Sequence, residues 1–156
     1  MNSTTSKTRR AGAIFAGFVF VVVTSTAADL LFHSTGIFPA MGQRMSDPLF
    51  AFALAYRCLF AIAGSYLTSW LAPTWVMPQA TVMGGAGLLV STFGAVVTWD
   101  KGPEFGPHWY PVLLALSSLP CSWAGAWLFL MRSRGQADSI TSPSMLNGPD
   151  PNSTDY

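Results

Sequence analysis

Four stretches of the chain are almost continuously apolar: residues 11–32, 49–71, 81–99 and 111–131. Each is close to the roughly 20 residues that a helix, rising about 1.5 Å per residue, needs to cross about 30 Å of hydrocarbon. Lipid offers no water to a backbone N–H or C=O, so a run that spans it must close its own hydrogen bonds as a helix. The runs are not divided into short alternating segments, which excludes a transmembrane β-barrel. Nor do they carry the charged stripe that a helix of a soluble bundle turns to water. The pattern predicts an all-α fold, a polytopic membrane protein whose four transmembrane helices form one bundle over residues 11–131.

The flanks differ in kind. Residues 1–10 read as a short cytoplasmic N-terminal segment, and residues 132–156 as a disordered cytoplasmic tail. The tail is rich in Ser, Pro, Asn, Asp and Gly, with too few apolar residues to pack. A competing reading treats the start of the chain as a signal peptide. Basic residues from Lys7 to Arg10 precede an apolar stretch to Val23, and the small residues Thr24 to Ala28 resemble a cleavage site. Leu30, Leu31 and Phe32 lengthen the run enough for it to stay as an anchor.

Composition agrees with lipid as the solvent. Of 156 residues, 51% are hydrophobic and 10% charged, where a soluble domain carries about 25% charged residues. The net charge of +1 provides no basic field for nucleic acid. Orientation follows the short basic flanks. Lys7, Arg9, Arg10, Arg132 and Arg134 lie on the side of the two termini, while Arg44 and Lys101 lie in the first and third links. That imbalance places both termini of a multi-pass protein in the cytoplasm. Trp99, Trp109 and Tyr110 would mark the outer interface, and Trp70, Trp75 and Trp127 the inner one.

Helices in lipid associate where small residues let their backbones approach. Ala80, Gly84, Gly87, Ser91, Gly94 and Thr98 recur at steps of four and three and form one seam on the third helix. Ala53, Arg57, Ala61, Gly64 and Thr68 form a similar face on the second. The fourth offers Ser117, Cys121, Ala124 and Gly125, with Pro120 among them. Pro120 removes one donor, and Ser117 or a neighbouring helix is expected to satisfy the freed carbonyl. Packing alone explains these stripes; a dimer interface or sliding seam is the functional alternative.

Arg57 is the most informative residue. It falls well inside the second run, where an arginine costs roughly 2.5–3.5 kcal/mol on insertion scales. Asp29, near the end of the neighbouring first run, is its expected partner. Ser25, Asp29 and His33 are four residues apart on one face and would present a hydroxyl, a carboxylate and an imidazole to Arg57. An ion pair that locks two helices is the simpler reading. A polar pocket holding a small anion, a proton or a lipid head group is the other.

The third link carries Asp100, Glu104 and His108 beside three prolines and two glycines. These are possible metal ligands or acid–base groups, but their spacing matches no known ligand pattern, so no metal and no cofactor is expected. The first link, with Gln43, Arg44, Ser46 and Asp47, reads as a surface turn. Cys58 and Cys121 lie in apolar runs and read as small packing residues. There is no Gly-rich phosphate loop, no HExxH and no Gly-x-Ser-x-Gly, which weighs against an enzyme.

Ala55-Tyr56-Arg57, Gly64, Leu71-Ala72-Pro73, the Gly102 to Pro107 segment, Trp109-Tyr110-Pro111 and Pro120 together resemble a group of small, uncharacterised bacterial integral membrane proteins with four helices. The resemblance covers residues 11–131 and implies location and topology only. The small multidrug transporters are similar in architecture, but they use a glutamate inside the first helix, where this chain has only Asp29. The sequence is therefore read as a non-enzymatic membrane protein, a structural or accessory subunit or a binder of lipid or a partner helix. Its partners would be membrane lipid and either a second copy or another membrane protein. The second reading is a small transporter using Asp29 and Arg57; the third is an enzyme acting on lipid head groups at the outer face, with Glu104 and His108 as acid and base.

Overall fold

Among the described residues, the largest fully buried side chains are hydroxyls. Ser65 is 0% exposed and Thr68 and Ser69 are each 1% exposed, while Leu89 is 73% and Phe93 72% exposed. That is the reverse of a soluble core, and it is the arrangement a bundle adopts when its solvent is as apolar as leucine. The computed structural model describes residues 3–40, 42–102 and 106–140. Among the described residues there are four helices and no strand: α1 (Ser3–Ser34), α2 (Asp47–Leu71), α3 (Val76–Thr98) and α4 (Trp109–Ile140). All four are long and apolar enough to cross a membrane.

The helices outrun the apolar segments that define them. α1 starts at Ser3 and α4 continues to Ile140, so residues 3–10 are helical, and so are residues 132–140, which composition assigns to a disordered tail. No proline interrupts 132–140, and a helix already nucleated in lipid propagates at one new hydrogen bond per residue. The expected tail is thereby shortened; residues 141–156 lie outside the described residues. α3 begins at Val76, five residues before its apolar run. Pro78 falls in its first turn, where a missing N–H costs no helical bond. The link from α2 is consequently tight, and Trp75 takes a left-handed conformation there, with φ 62°. Gln79 closes that turn by donating from Nε2 to the carbonyl oxygens of Ala72, at 3.1 Å, and Thr74.

Contacts between elements fix the arrangement. α2 packs on α1 and on α4, and α4 packs on α3, while α1 and α3 touch much less. α1 runs antiparallel to α2. Arg9 Nε donates to Leu71 O at 3.0 Å at one end of that pair, and Phe32 meets Phe52 at 5.2 Å between ring centroids near the other. α2 and α4 run in the same direction. Gly125 of α4 sits against Ile62, Ser65 and Tyr66 of α2, and Ser65 Oγ donates to Ser122 O at 2.6 Å.

Glycine and hydroxyl residues make these contacts. The α1–α2 crossing is built from Gly17, Gly64 and Thr68. The Thr68 hydroxyl lies 3.0 Å from Gly64 O and 3.3 Å from Ala13 O. The α3 seam is real over part of its length. Gly84 meets Leu119 and Ser118 of α4, and Gly87 meets Ser118, but no atom lies within 4 Å of a Cβ at Gly94. Gly94 is exposed, so it is not a packing residue of this bundle. Ser91 instead lines a cavity. Pro120 is inside α4, and the Ser117 hydroxyl donates to Leu114 O at 3.0 Å, not to the Leu116 carbonyl that Pro120 frees.

The links complete the end of the bundle where α2 and α4 begin. The first link does not lie wholly on the surface: Phe38 is 2% exposed and packs with Ala53 and Tyr56. Its ring sits 5.3 Å from Phe32. In the link that leads to α4, Gly106 has φ +100° and rests on the ring of Phe50, where a side chain would collide.

Candidate functional site

Arg57 stands ten residues into α2, about 15 Å from its start at Asp47. Asp29 stands five residues, about 7.5 Å, before the end of α1 at Ser34. Because α1 and α2 are antiparallel neighbours, the two side chains meet, and Arg57 Nη2 pairs with Asp29 Oδ2. Tyr56, the preceding residue, donates its hydroxyl to Asp29 Oδ1. One carboxylate thus takes two donors from consecutive residues of α2. Consecutive positions on a helix differ by about 100°, so Tyr56 and Arg57 approach Asp29 from different sides. Tyr56 is missing from the sequence-derived site. Its signal was available, because a tyrosine beside an intramembrane arginine brings an O–H that must find an acceptor when buried.

An aromatic wall surrounds the ion pair on the α1–α2 side. Tyr56 lies 5.4 Å from Phe32, 5.6 Å from Phe52 and 5.9 Å from Phe60 between ring centroids. These rings exclude water on that side and hold Tyr56 in place. The pair is not sealed, since the Arg57 and Asp29 side chains keep 31% and 28% exposure. That openness corresponds to two cavities.

The first is a vestibule at the end where α2 and α4 begin. It has a volume of about 320 Å³ and is lined by Asp29, His33, Gln43, Phe50, Arg57 and Tyr110, among others. The second lies deeper, with a volume of about 220 Å³ and residues from all four helices. Its walls are mostly apolar, from Phe18, Val21 and Met83 to Val90 and Leu114, with Ser25, Ser91, Ser117 and Ser118 as hydroxyls. Arg57 borders both cavities. Its Nε atom is buried and has no hydrogen-bond partner.

The other residues singled out in the sequence divide between these spaces. Ser25 lines the deep cavity and Asp29 and His33 the vestibule. His33 does not reach the carboxylate. Its Nδ1 donates to the backbone carbonyl of Asp29 at 2.8 Å, and its ring meets Phe38 edge-on at 5.4 Å. His108 is engaged elsewhere, stacked on Trp99 at 4.4 Å and within 3.2 Å of the Trp99 carbonyl. Asp100 is exposed, and Glu104 lies outside the described residues. Among the described residues, no three of His, Cys, Asp and Glu come together as a metal site would require. The Glu104–His108 acid–base pair considered for a head-group enzyme lies in part outside the described residues.

No family model, curated protein or solved structure matches the chain. The deep cavity, the vestibule and the cation between them are the features that bear on function.

Proposed function

We propose that this is a non-enzymatic integral membrane protein that binds a lipid-like amphiphile. One observation carries the reading: a cavity of about 220 Å³ among all four helices has apolar walls, a few hydroxyls and a single cationic side chain, Arg57, at its border. Binding sites for amphiphiles combine a predominantly apolar lining with a few placed polar groups. The apolar part of the ligand would occupy the space between α1 and α3, which touch much less than α1 and α2 or α3 and α4. An acceptor group on it would take the free donor of Arg57. The protein would be an accessory or structural subunit of the bacterial inner membrane, with both termini in the cytoplasm and a second copy or another membrane protein as partner.

Mass spectrometry of the protein released from nanodiscs tests the reading directly. A bound amphiphile is expected on the native chain. Gly87→Leu, which fills the cavity, should remove it, while Gly94→Leu, on the exposed side of the same helix, should not. An amphiphile retained equally by both variants would refute the site. Reporter fusions at each terminus test the orientation.

A transporter is the second reading, favoured by Arg57 bordering both cavities. It requires Arg57 and Asp29 to part during a cycle. Solute flux in proteoliposomes that disappears in Arg57→Gln would support it over simple binding.

A further inference from the structure

α2 and α4 keep one register over two helical turns. Ile62 faces Gly125 and Tyr66 faces Phe129, the latter with ring centroids 5.8 Å apart. One turn earlier on each helix, the same register places Cys58 opposite Cys121. The two thiols are neighbours. Both are free cysteines, half-buried, and Cys58 lines the deep cavity next to Arg57. Two packing cysteines could occupy any pair of positions on two helices. These two share one rung of a close parallel contact, and Cys58 opens onto a ligand-sized space.

We infer that Cys58 and Cys121 form a redox-active dithiol that closes into an α2–α4 disulfide by reducing a lipid-soluble quinone in the deep cavity. The position selects the oxidant. Charged thiol reagents such as glutathione disulfide do not enter a hydrocarbon interior, so the electron acceptor must dissolve in lipid. A quinone ring is flat and apolar, and its carbonyls accept hydrogen bonds of the kind that the buried Nε of Arg57 can donate. The stoichiometry closes without another reactant. Both S–H bonds break and one S–S bond forms. The two electrons and two protons released convert the quinone carbonyls to the hydroxyls of a quinol. Close packing near Gly125 brings the backbones together, as a disulfide requires of its Cα atoms. Delivery of the quinone rests on the amphiphile-binding reading of the cavity; the pairing of the thiols does not.

The test uses the full chain in nanodiscs, reduced and then freed of reductant. The probe is a short-chain benzoquinone substituted at every ring position, which can oxidise thiols but not alkylate them. Free thiols, intact mass and quinol absorbance are followed together. The expected result is loss of both thiols as one intramolecular disulfide, with quinol formed in equal amount. Cys58→Ser and Cys121→Ser should each abolish quinol formation, and Gly87→Leu should slow it by about an order of magnitude or more. Copper–phenanthroline should close the bond in the native chain and in Gly87→Leu alike. If copper–phenanthroline gives no intramolecular disulfide, the dithiol itself is wrong. If it does and the quinone leaves both thiols free, the quinone site is wrong. A disulfide made by quinone in a protein that retains no amphiphile would overturn the binding reading alone.

Discussion

Gly17 of α1 and Gly64 of α2 face each other with no room for a side chain on either. A Cβ at Gly64 would lie 2.9 Å from Gly17 O, and a Cβ at Gly17 would collide with Gly64 O and the Thr68 hydroxyl. Two backbones in this contact gain dispersion along their length, which in lipid replaces the hydrophobic effect as the force between helices. The same approach puts the Thr68 hydroxyl within reach of Ala13 O on the other helix.

Gly17→Ala and Gly64→Ala should each destabilise the bundle by about 1–3 kcal/mol, the usual cost of overpacking. The obstructing atoms at Gly17 include a backbone carbonyl, so no rotamer change relieves the clash. Gly94→Ala, with nothing within 4 Å, should leave stability unchanged or slightly raised. Reversible unfolding in mixed micelles would measure all three. Equal effects at Gly17 and Gly94 would show that the α1–α2 contact does not hold the bundle.

The four helices were legible because twenty consecutive apolar residues leave a backbone few choices. Arg57 and Asp29 were legible as partners because a charge in lipid must find one, and a short link made their helices neighbours. Gly17 gave a weaker signal, since Ala13, four residues before it, is small but Val21, four residues after it, is not, so the stripe is only one turn long. The α3 stripe shows the opposite error. Periodicity identifies a face but not how far the partner helix follows it, and α4 covers Gly84 and Gly87 but not Gly94. The burial of Phe38 was hidden for a related reason, because a link has no period from which to read a buried face.

Ser65→Ala should cost about 0.5–1.5 kcal/mol, within the range for interhelical hydrogen bonds in membranes. Its hydroxyl is fully buried and donates to Ser122 O at 2.6 Å, beside the close approach of Gly125. Alanine leaves that carbonyl without this donor but preserves the backbone contact. Ser65→Val should be worse, because its added methyls meet Gly125 and α4 must move outward. Unfolding of the two variants side by side separates the lost bond from the forced separation.

Phe38→Ala should release the first link while leaving the helices in place. The Phe38 ring fills a slot among Phe32, His33 and Phe52. Truncating a buried phenylalanine typically costs about 3–5 kcal/mol, but a link can open locally without unfolding the bundle. Faster amide exchange over 35–46, with α2 and α4 unchanged, is the expected outcome. Slowed or unchanged exchange there would mean that Phe38 does not anchor the link.

Asp29→Asn should damage the protein more than Arg57→Gln, although each removes half of one ion pair. Without Asp29, the guanidinium keeps its charge in a low-dielectric setting, for it cannot release its proton at any ordinary pH. Without Arg57, the carboxyl retains the Tyr56 hydroxyl and can become neutral by taking up a proton. Breaking a fully buried pair costs about 3–5 kcal/mol, and the partial exposure of both side chains lowers the expectation to about 1–3 kcal/mol for Asp29→Asn. The double variant should be more stable than the sum of the single losses predicts, with a coupling of about 0.5–3 kcal/mol. Tyr56→Phe should cost only about 0.5–1.5 kcal/mol, since the carboxylate keeps its stronger partner. A double-mutant cycle by reversible unfolding decides the matter. Additive losses, or a milder effect of Asp29→Asn than of Arg57→Gln, would mean that the arginine finds its counter-charge elsewhere, in a lipid head group or a bound ligand and not in Asp29.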